Sequence, residues 1–159
     1  MREVKKRYDP EKIKKIARDL QGIPYLHNGR TEKGVDCWGL VRLFFARLQV
    51  ELPEDDGSFI EKDWYKRDPD RYLRELCNLG EEVGHYKNMR PLDIPYFRLY
   101  KNVVTHTSVM LDRISFIHVL INKEVSIDTM KKRYWRRKYE GARRLVEPEL
   151  IVLPEDGNR

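Results

Sequence analysis

The feature that most constrains this chain is a change of hydrophobic period along its length. Ile13, Ile16, Ala17 and Leu20, and then Leu40, Val41, Phe44, Phe45 and Leu48, recur at the i, i+3, i+4, i+7 spacing of helices with one buried stripe. Beyond residue 92 the apolar runs are short and strand-like: 93–100, 104–111, 114–121, 124–127 and 150–152. Helices followed by strands predict an α+β domain, with N-terminal helices packed on a central antiparallel β-sheet. Asp9 and Pro10 are the N-cap and first residue of the first helix, which closes at Gly22. A short helix is expected from Asp68-Pro69, and Trp64 and Tyr65 are expected to anchor the polar stretch before it.

The second helix opens on Asp36-Cys37-Trp38-Gly39-Leu40-Val41, which sets a thiol where a glycine-bearing loop turns helical. Asp36 reads as the N-cap. Unpaired backbone N–H groups and the positive end of the helix dipole favour the thiolate, the reactive form of the side chain. Cys37 is therefore either a nucleophile or a small buried residue in the first turn. The other cysteine, Cys77, lies among Tyr72, Leu73 and Leu76, where a core role is expected, and two cysteines supply no disulfide framework.

His106 and His118 occupy two successive strand-like runs. A hairpin centred on Asp112 would set the two imidazoles directly opposite each other on one face, with Cβ atoms about 4.5–5.5 Å apart. One ring could then orient the other. A thiol, a histidine base and a polar group that fixes the base's tautomer form the general constellation of thiol acyl chemistry. The alternative is a pair of hydrogen-bonded core histidines.

The chain has 159 residues with a formal net charge of +6, but 26 acidic side chains are mixed among 32 basic ones. That mixture describes solvated faces rather than a phosphate-tracking stripe, so no nucleic-acid partner is expected. The densest cluster, from Lys131 to Lys138, interleaves aromatics with cations; strand binding, contact with anionic polymer and an ordinary surface all remain open for it. The histidines and cysteines lack the paired spacing of a structural zinc site, and no metal or other cofactor is expected. No apolar run reaches membrane-spanning length and Met1 to Arg7 lead into a charged helix, predicting no membrane partner and a chain cytoplasmic as synthesised. One domain over residues 1–153 and a loose tail over 154–159 are expected.

Gly22-Ile23-Pro24-Tyr25, Asn28-Gly29-Arg30, Gly34-Val35-Asp36-Cys37-Trp38-Gly39-Leu40-Val41 and Leu52-Pro53 resemble the N-terminal half of the NlpC/P60 cysteine peptidases. His106-Thr107-Ser108-Val109-Met110-Leu111 is similar to the family strand that opens with the catalytic histidine. Phe116-Ile117-His118 is similar to the next strand, which supplies the third polar residue. The resemblance covers roughly residues 10–145 and implies a papain-like fold in which Cys37, His106 and His118 are catalytic and no cofactor is needed. It also implies a peptidoglycan stem peptide as substrate, cut between D-γ-glutamate and the diamino acid. Tyr25, Arg30, Asp36 and Trp38 are the substrate-side residues, Asp36 chiefly as loop organiser. Arg30 would either hold the substrate carboxylate or pair with Asp36 or Glu32; Tyr25 is either a cleft residue or a half-buried loop aromatic.

Trp38 and the Gly-Arg pair resemble the phage and prophage branch, implying phage tail proteins as further partners, carriage out of the cytoplasm on a phage particle and, as an alternative function, a tail-assembly component with a vestigial or protein-processing site. Three departures stand out. Pro91-Leu92-Asp93 replaces the usual Gly-Asp, Thr107-Ser108-Val109 replaces Val-Gly-Ile, and Asp112-Arg113 replaces a glycine-rich turn.

Overall fold

The computed structural model describes residues 9–50, 52 and 62–145, together with the backbone of 4–5 and 151–152. The expected tail at 154–159 and Pro53 lie outside the described residues. Helix α1 (Pro10–Leu20) starts where the sequence placed it: Asp9 accepts hydrogen bonds from the Glu11 and Lys12 N–H groups, and Ile13, Ile16, Ala17 and Leu20 are buried. Helix α2 (Cys37–Arg47) runs against it with Leu40, Val41, Phe44 and Phe45 fully buried. Each such side chain contributes roughly 1.5–3 kcal/mol of burial, so this stripe is a principal anchor of the fold.

Between these helices, β2 (Arg30–Thr31) and β3 (Gly34–Val35) form a small hairpin. After α2 come two short helices, α3 (Trp64–Arg67) and α4 (Arg71–Cys77). The predicted start of α4 at Asp68-Pro69 falls two residues early, because the Asp68 carboxylate is taken by the Arg74 guanidinium. Trp64 and Tyr65 anchor as expected, edge-on to Tyr72 and Tyr100. Cys77 is exposed rather than core: one position beyond buried Leu76 on a helix turns its side chain about 100° towards solvent.

The sheet is antiparallel throughout. Strands β4 (Glu81–Val83), β5 (Ile94–Tyr100), β6 (Val103–Thr107) and β10 (Tyr139–Arg144) stand in the order β4-β10-β5-β6. Strands β7 (Val109–Met110), β8 (Ser115–His118) and β9 (Ser126–Thr129) form a second group in the order β7-β8-β9. The groups join at Ser108, whose N–H donates to Pro95, while Met110 N–H donates to Asp93. One continuous run was expected over 104–111; it is interrupted at Ser108, where pairing with β5 is supplemented by pairing with β8. The run expected over 124–127 is displaced to β9, since Glu124 makes an isolated bridge to Pro24. The basic segment holds helix α5 (Arg133–Lys138), and β11 (Ile151–Val152) pairs with β1 (Val4–Lys5).

The hairpin turns about Arg113 rather than Asp112. Val109 pairs with Ile117 and Met110 with Phe116, a register that, carried one residue further, sets Ser108 opposite His118. His106 is then the diagonal neighbour of His118. A two-residue displacement keeps both imidazoles on one face, and diagonal pairs remain within reach of ring side chains. Asp112 accounts for the difference, because its Oδ1 accepts from both Ile114 and Ser115 N–H and closes the longer loop without glycine. Leu92, standing where the family pattern has glycine, adopts a left-handed φ of 72°. Its N–H bond to Met110 and nearly complete burial hold it there, against a local cost of about 1–2 kcal/mol.

Candidate active site

The Cys37 side of the site is assembled from residues close in sequence. Asp36 caps α2: its Oδ1 accepts from Gly39 N–H at 2.7 Å and from Arg30 Nη1 at 2.8 Å, and its Oδ2 from Asn28 N–H at 3.1 Å. Arg30 also donates to the Gly29 carbonyl. A Cβ on Gly39 would collide with that same carbonyl oxygen, so glycine is what lets the loop lie against the first turn of the helix. Arg30 thus braces the loop, and it is not among the described residues that line the adjoining cavity.

That cavity, about 870 Å³, is lined by Tyr25, Cys37, Trp38, Trp64, Tyr72 and His106, among others. Two cations line it as well, Lys62 and Arg71, neither of which the sequence singled out. Cys37 is only 6% exposed. Its sulfur lies 3.0 Å from the Tyr72 hydroxyl and 3.7 Å from the Thr105 carbonyl oxygen. Burial, with the Asp36 carboxylate adding to it, pushes the thiol up to about 12, against the hydrogen bonds that lower it. The resting thiol is neutral, then, whereas helix-end electrostatics alone predicted a thiolate; desolvation outweighs the dipole. Burial and the neighbouring Cys37 likewise push the Tyr25 hydroxyl up to about 12.

The histidine side comes from distant segments. His106 Nε2 and His118 Nδ1 are 3.0 Å apart, and both rings are 97% buried. Trp135 of α5 stacks on His106, with ring centroids 5.6 Å apart at 27°, and meets His118 edge-on at 5.1 Å. Its Nε1 donates to Asp128 Oδ2 at 2.8 Å, and Lys132 holds Asp128 Oδ1 at 2.8 Å. Asp128 Oδ2 in turn lies 4.0 Å from His118 Nε2. The cysteine's cavity is thus backed by a line of groups running from His106 through His118 to Asp128.

Burial sets the charge state of this line. It drives His106 well below its ordinary value, with His118 adding to the effect, and takes His118 down to about 4 despite the opposing Asp128 carboxylate. Burial would raise Asp128, but hydrogen bonds from Lys132, Trp135 and the Thr129 N–H hold it below the usual carboxylate range. At neutral pH both imidazoles are uncharged and Asp128 is ionised.

Of the candidates from sequence, Cys37, His106, Tyr25, Trp38 and Asp36 share the cavity, His118 adjoins His106, and Arg30 braces the loop through Asp36. Tyr72, Asp128 and Trp135 were missed. Tyr72 and Asp128 carry no local signature, while Trp135 was visible only as an aromatic interrupting a basic run. Among the described residues, no three His, Cys, Asp or Glu side chains are grouped to hold one metal ion, and no helix is long and apolar enough to cross a membrane.

The model of the NlpC/P60 family matches residues 22–144. The chain is 29% identical over 129 residues to the Murein DD-endopeptidase MepS/Murein LD-carboxypeptidase of Escherichia coli K12, covering 80% of this chain and 58% of that protein. It is 25% identical over 126 residues to a probable endopeptidase NlpC homolog of Haemophilus influenzae, covering 79% and 57%. The chain therefore spans a little over half the length of these relatives. Among solved structures it superposes on an NlpC/P60 family protein from Bacillus cereus with a TM-score of 0.64 at 18% identity, covering 93% of this chain and 42% of the other. It also matches the NlpC/p60 domain of the peptidoglycan hydrolase SagA, with a TM-score of 0.55 at 16% identity, covering 87% of this chain and all of that domain. At such identities the likeness establishes the fold.

Proposed function

This chain belongs to the NlpC/P60 family, and on that footing we propose that it is a cysteine peptidase of peptidoglycan stem peptides, with Cys37 as nucleophile, His106 as base and His118 as orienter. The observation that carries this reading is the 3.0 Å contact between His106 Nε2 and His118 Nδ1, beside a cavity that Cys37 and His106 both line. To take a proton on Nδ1, His106 must carry hydrogen on Nε2 and donate it to His118 Nδ1. His118 then carries hydrogen on Nε2, the nitrogen facing Asp128. Each ring is fixed in the tautomer that the next requires.

From this neutral pair the reaction proceeds by general base catalysis. The Cys37 proton moves to His106 Nδ1 as sulfur attacks the amide carbonyl, and the carbonyl π pair becomes an oxyanion steadied by N–H groups at the start of α2. Collapse breaks the C–N bond, the amine leaves with the His106 proton, and a thioester remains. Water, deprotonated by His106, then releases the carboxylate and restores the thiol. The imidazolium formed in each step faces the ionised Asp128 through His118.

The named activities of the murein-acting relatives support peptidoglycan as substrate class. A γ-linked D-glutamate presents a free α-carboxylate, and Lys62 and Arg71, in a lining that also holds Asp36 and Glu75, are assigned as the cations that pair with it. Arg30, bound to Asp36, is assigned to the loop instead. Tyr25 and Trp38 form the cleft walls. Incubation with defined muropeptides, read by mass spectrometry, tests the proposal: products split between D-glutamate and the third residue are expected. Intact muropeptides would overturn it, and cleavage of a phage tail protein in their place would establish the tail-assembly alternative.

A further inference from the structure

We propose that Tyr72 is a further catalytic residue of this site, its hydroxyl donating a hydrogen bond to the Cys37 sulfur and carrying part of the negative charge when the thiol ionises. The inference rests on the reading of Cys37 as nucleophile. The Tyr72 hydroxyl is 3.0 Å from the sulfur and the Thr105 carbonyl oxygen 3.7 Å from it. A carbonyl only accepts, so the thiol proton is directed to Thr105 and the Tyr72 O–H onto a sulfur lone pair. Once the thiol proton has passed to His106, Thr105 loses its partner while the Tyr72 bond becomes charge-assisted and shortens.

The site needs such a donor because it is dry. Cys37 is 6% exposed, so few waters can solvate a thiolate there. Tyr72 replaces them with a hydroxyl already in place, and reorganises nothing during the reaction. The donor keeps its own proton, since burial, with Cys37 and Asp36 adding to it, drives the hydroxyl well above its ordinary value. Its position is fixed by Trp64, whose ring meets the Tyr72 ring edge-on at 5.1 Å. Negative charge develops on sulfur twice in each cycle, as the thiol proton leaves during attack and again when the thioester breaks, and the same O–H serves both moments without transferring its proton.

The test is Tyr72→Phe, which keeps the ring and its packing and removes only the oxygen. It is made in a Cys77→Ala background so that Cys37 is the sole thiol. Alkylation by iodoacetamide is followed against pH alongside kcat/KM on muropeptides, and an unchanged melting temperature verifies the fold. The expected result is a thiol profile displaced upward by about one pH unit, about ten-fold slower alkylation at neutral pH, and a loss in kcat/KM that falls on kcat. A folded Tyr72→Phe protein with an unchanged pH profile and unchanged kcat, while Cys37→Ala is inactive, would overturn the Tyr72 proposal and leave the nucleophile standing. Activity retained by Cys37→Ala would overturn both. The alkylation arm needs no substrate, so it reads the sulfur whatever the enzyme cuts.

Discussion

The two halves of the candidate site are held in different ways. On the cysteine side, Asp36, Gly39, Arg30, Gly29 and Asn28 lie within a dozen residues of one another, and their hydrogen bonds form one local knot around the first turn of α2. On the histidine side, His106, His118, Asp128 and Trp135 arrive on β6, β8, β9 and α5, and hydrogen bonds, ring stacking and strand pairing bring them together. A knot of local bonds is disturbed by changing one residue of the loop. A line assembled from four elements depends on the whole sheet, so changes at its members act on chemistry through orientation as well as on stability.

The largest expected effects treat the halves alike. Cys37→Ala and His106→Ala should each remove hydrolysis by about 10⁴-fold or more with the fold intact, and the double variant should be little worse, because such groups act as one unit. Muropeptide turnover measures this; losses that multiply would show that the two do not cooperate.

The next test separates role from packing on the histidine side. His118→Ala should lower kcat by about 100-fold, while His118→Asn should retain more activity, since an amide can still hydrogen-bond to His106. Equal losses in both variants would assign His118 a direct part in the chemistry in place of orientation.

The same histidine should give the protein a loss of stability in acid, whereas the raised Cys37 thiol acts only at alkaline pH. Burial takes His118 from 6.5 down to about 4 in the folded state. The unfolded chain therefore binds the extra proton first, and stability is full above about 6.5 and falls as pH drops towards 4. Two and a half pH units correspond to about 3 kcal/mol. Denaturant melts of the wild type and His118→Asn between these pH values should converge as the pH falls; parallel curves would refute the assignment.

Asp36→Ala probes the local knot. It removes the helix cap and the acceptor of Arg30, and should cost about 2 kcal/mol, or roughly 4–8 °C in Tm for a chain of this size. The smallest expected effect has the opposite sign. The Ser108 hydroxyl is fully buried and finds no hydrogen-bond partner among the described residues, so Ser108→Ala should stabilise by up to about 1 kcal/mol without altering turnover. A lower Tm would show that the hydroxyl is satisfied in solution.

The sequence by itself determined helices α1 and α2, their N-caps and the cysteine loop, because these are set by interactions between residues a few positions apart: Asp9 bonding to Glu11, Asp36 to Gly39, and an apolar stripe repeating at helical period. It also determined that His106 and His118 share a face, since strand parity survives a register displaced by two residues. Only the tertiary structure decided the register itself, which turns on the Asp112 side chain closing the loop, and the outward facing of Cys77. The same holds for the partners that tune the chemistry. Tyr72 reaches Cys37 from 35 positions away, and Trp135 with Asp128 closes around the two imidazoles from the far end of the sheet. Burial of this kind is a property of what surrounds a residue in space, which is why it reversed the charge expected of Cys37 from its place at a helix end.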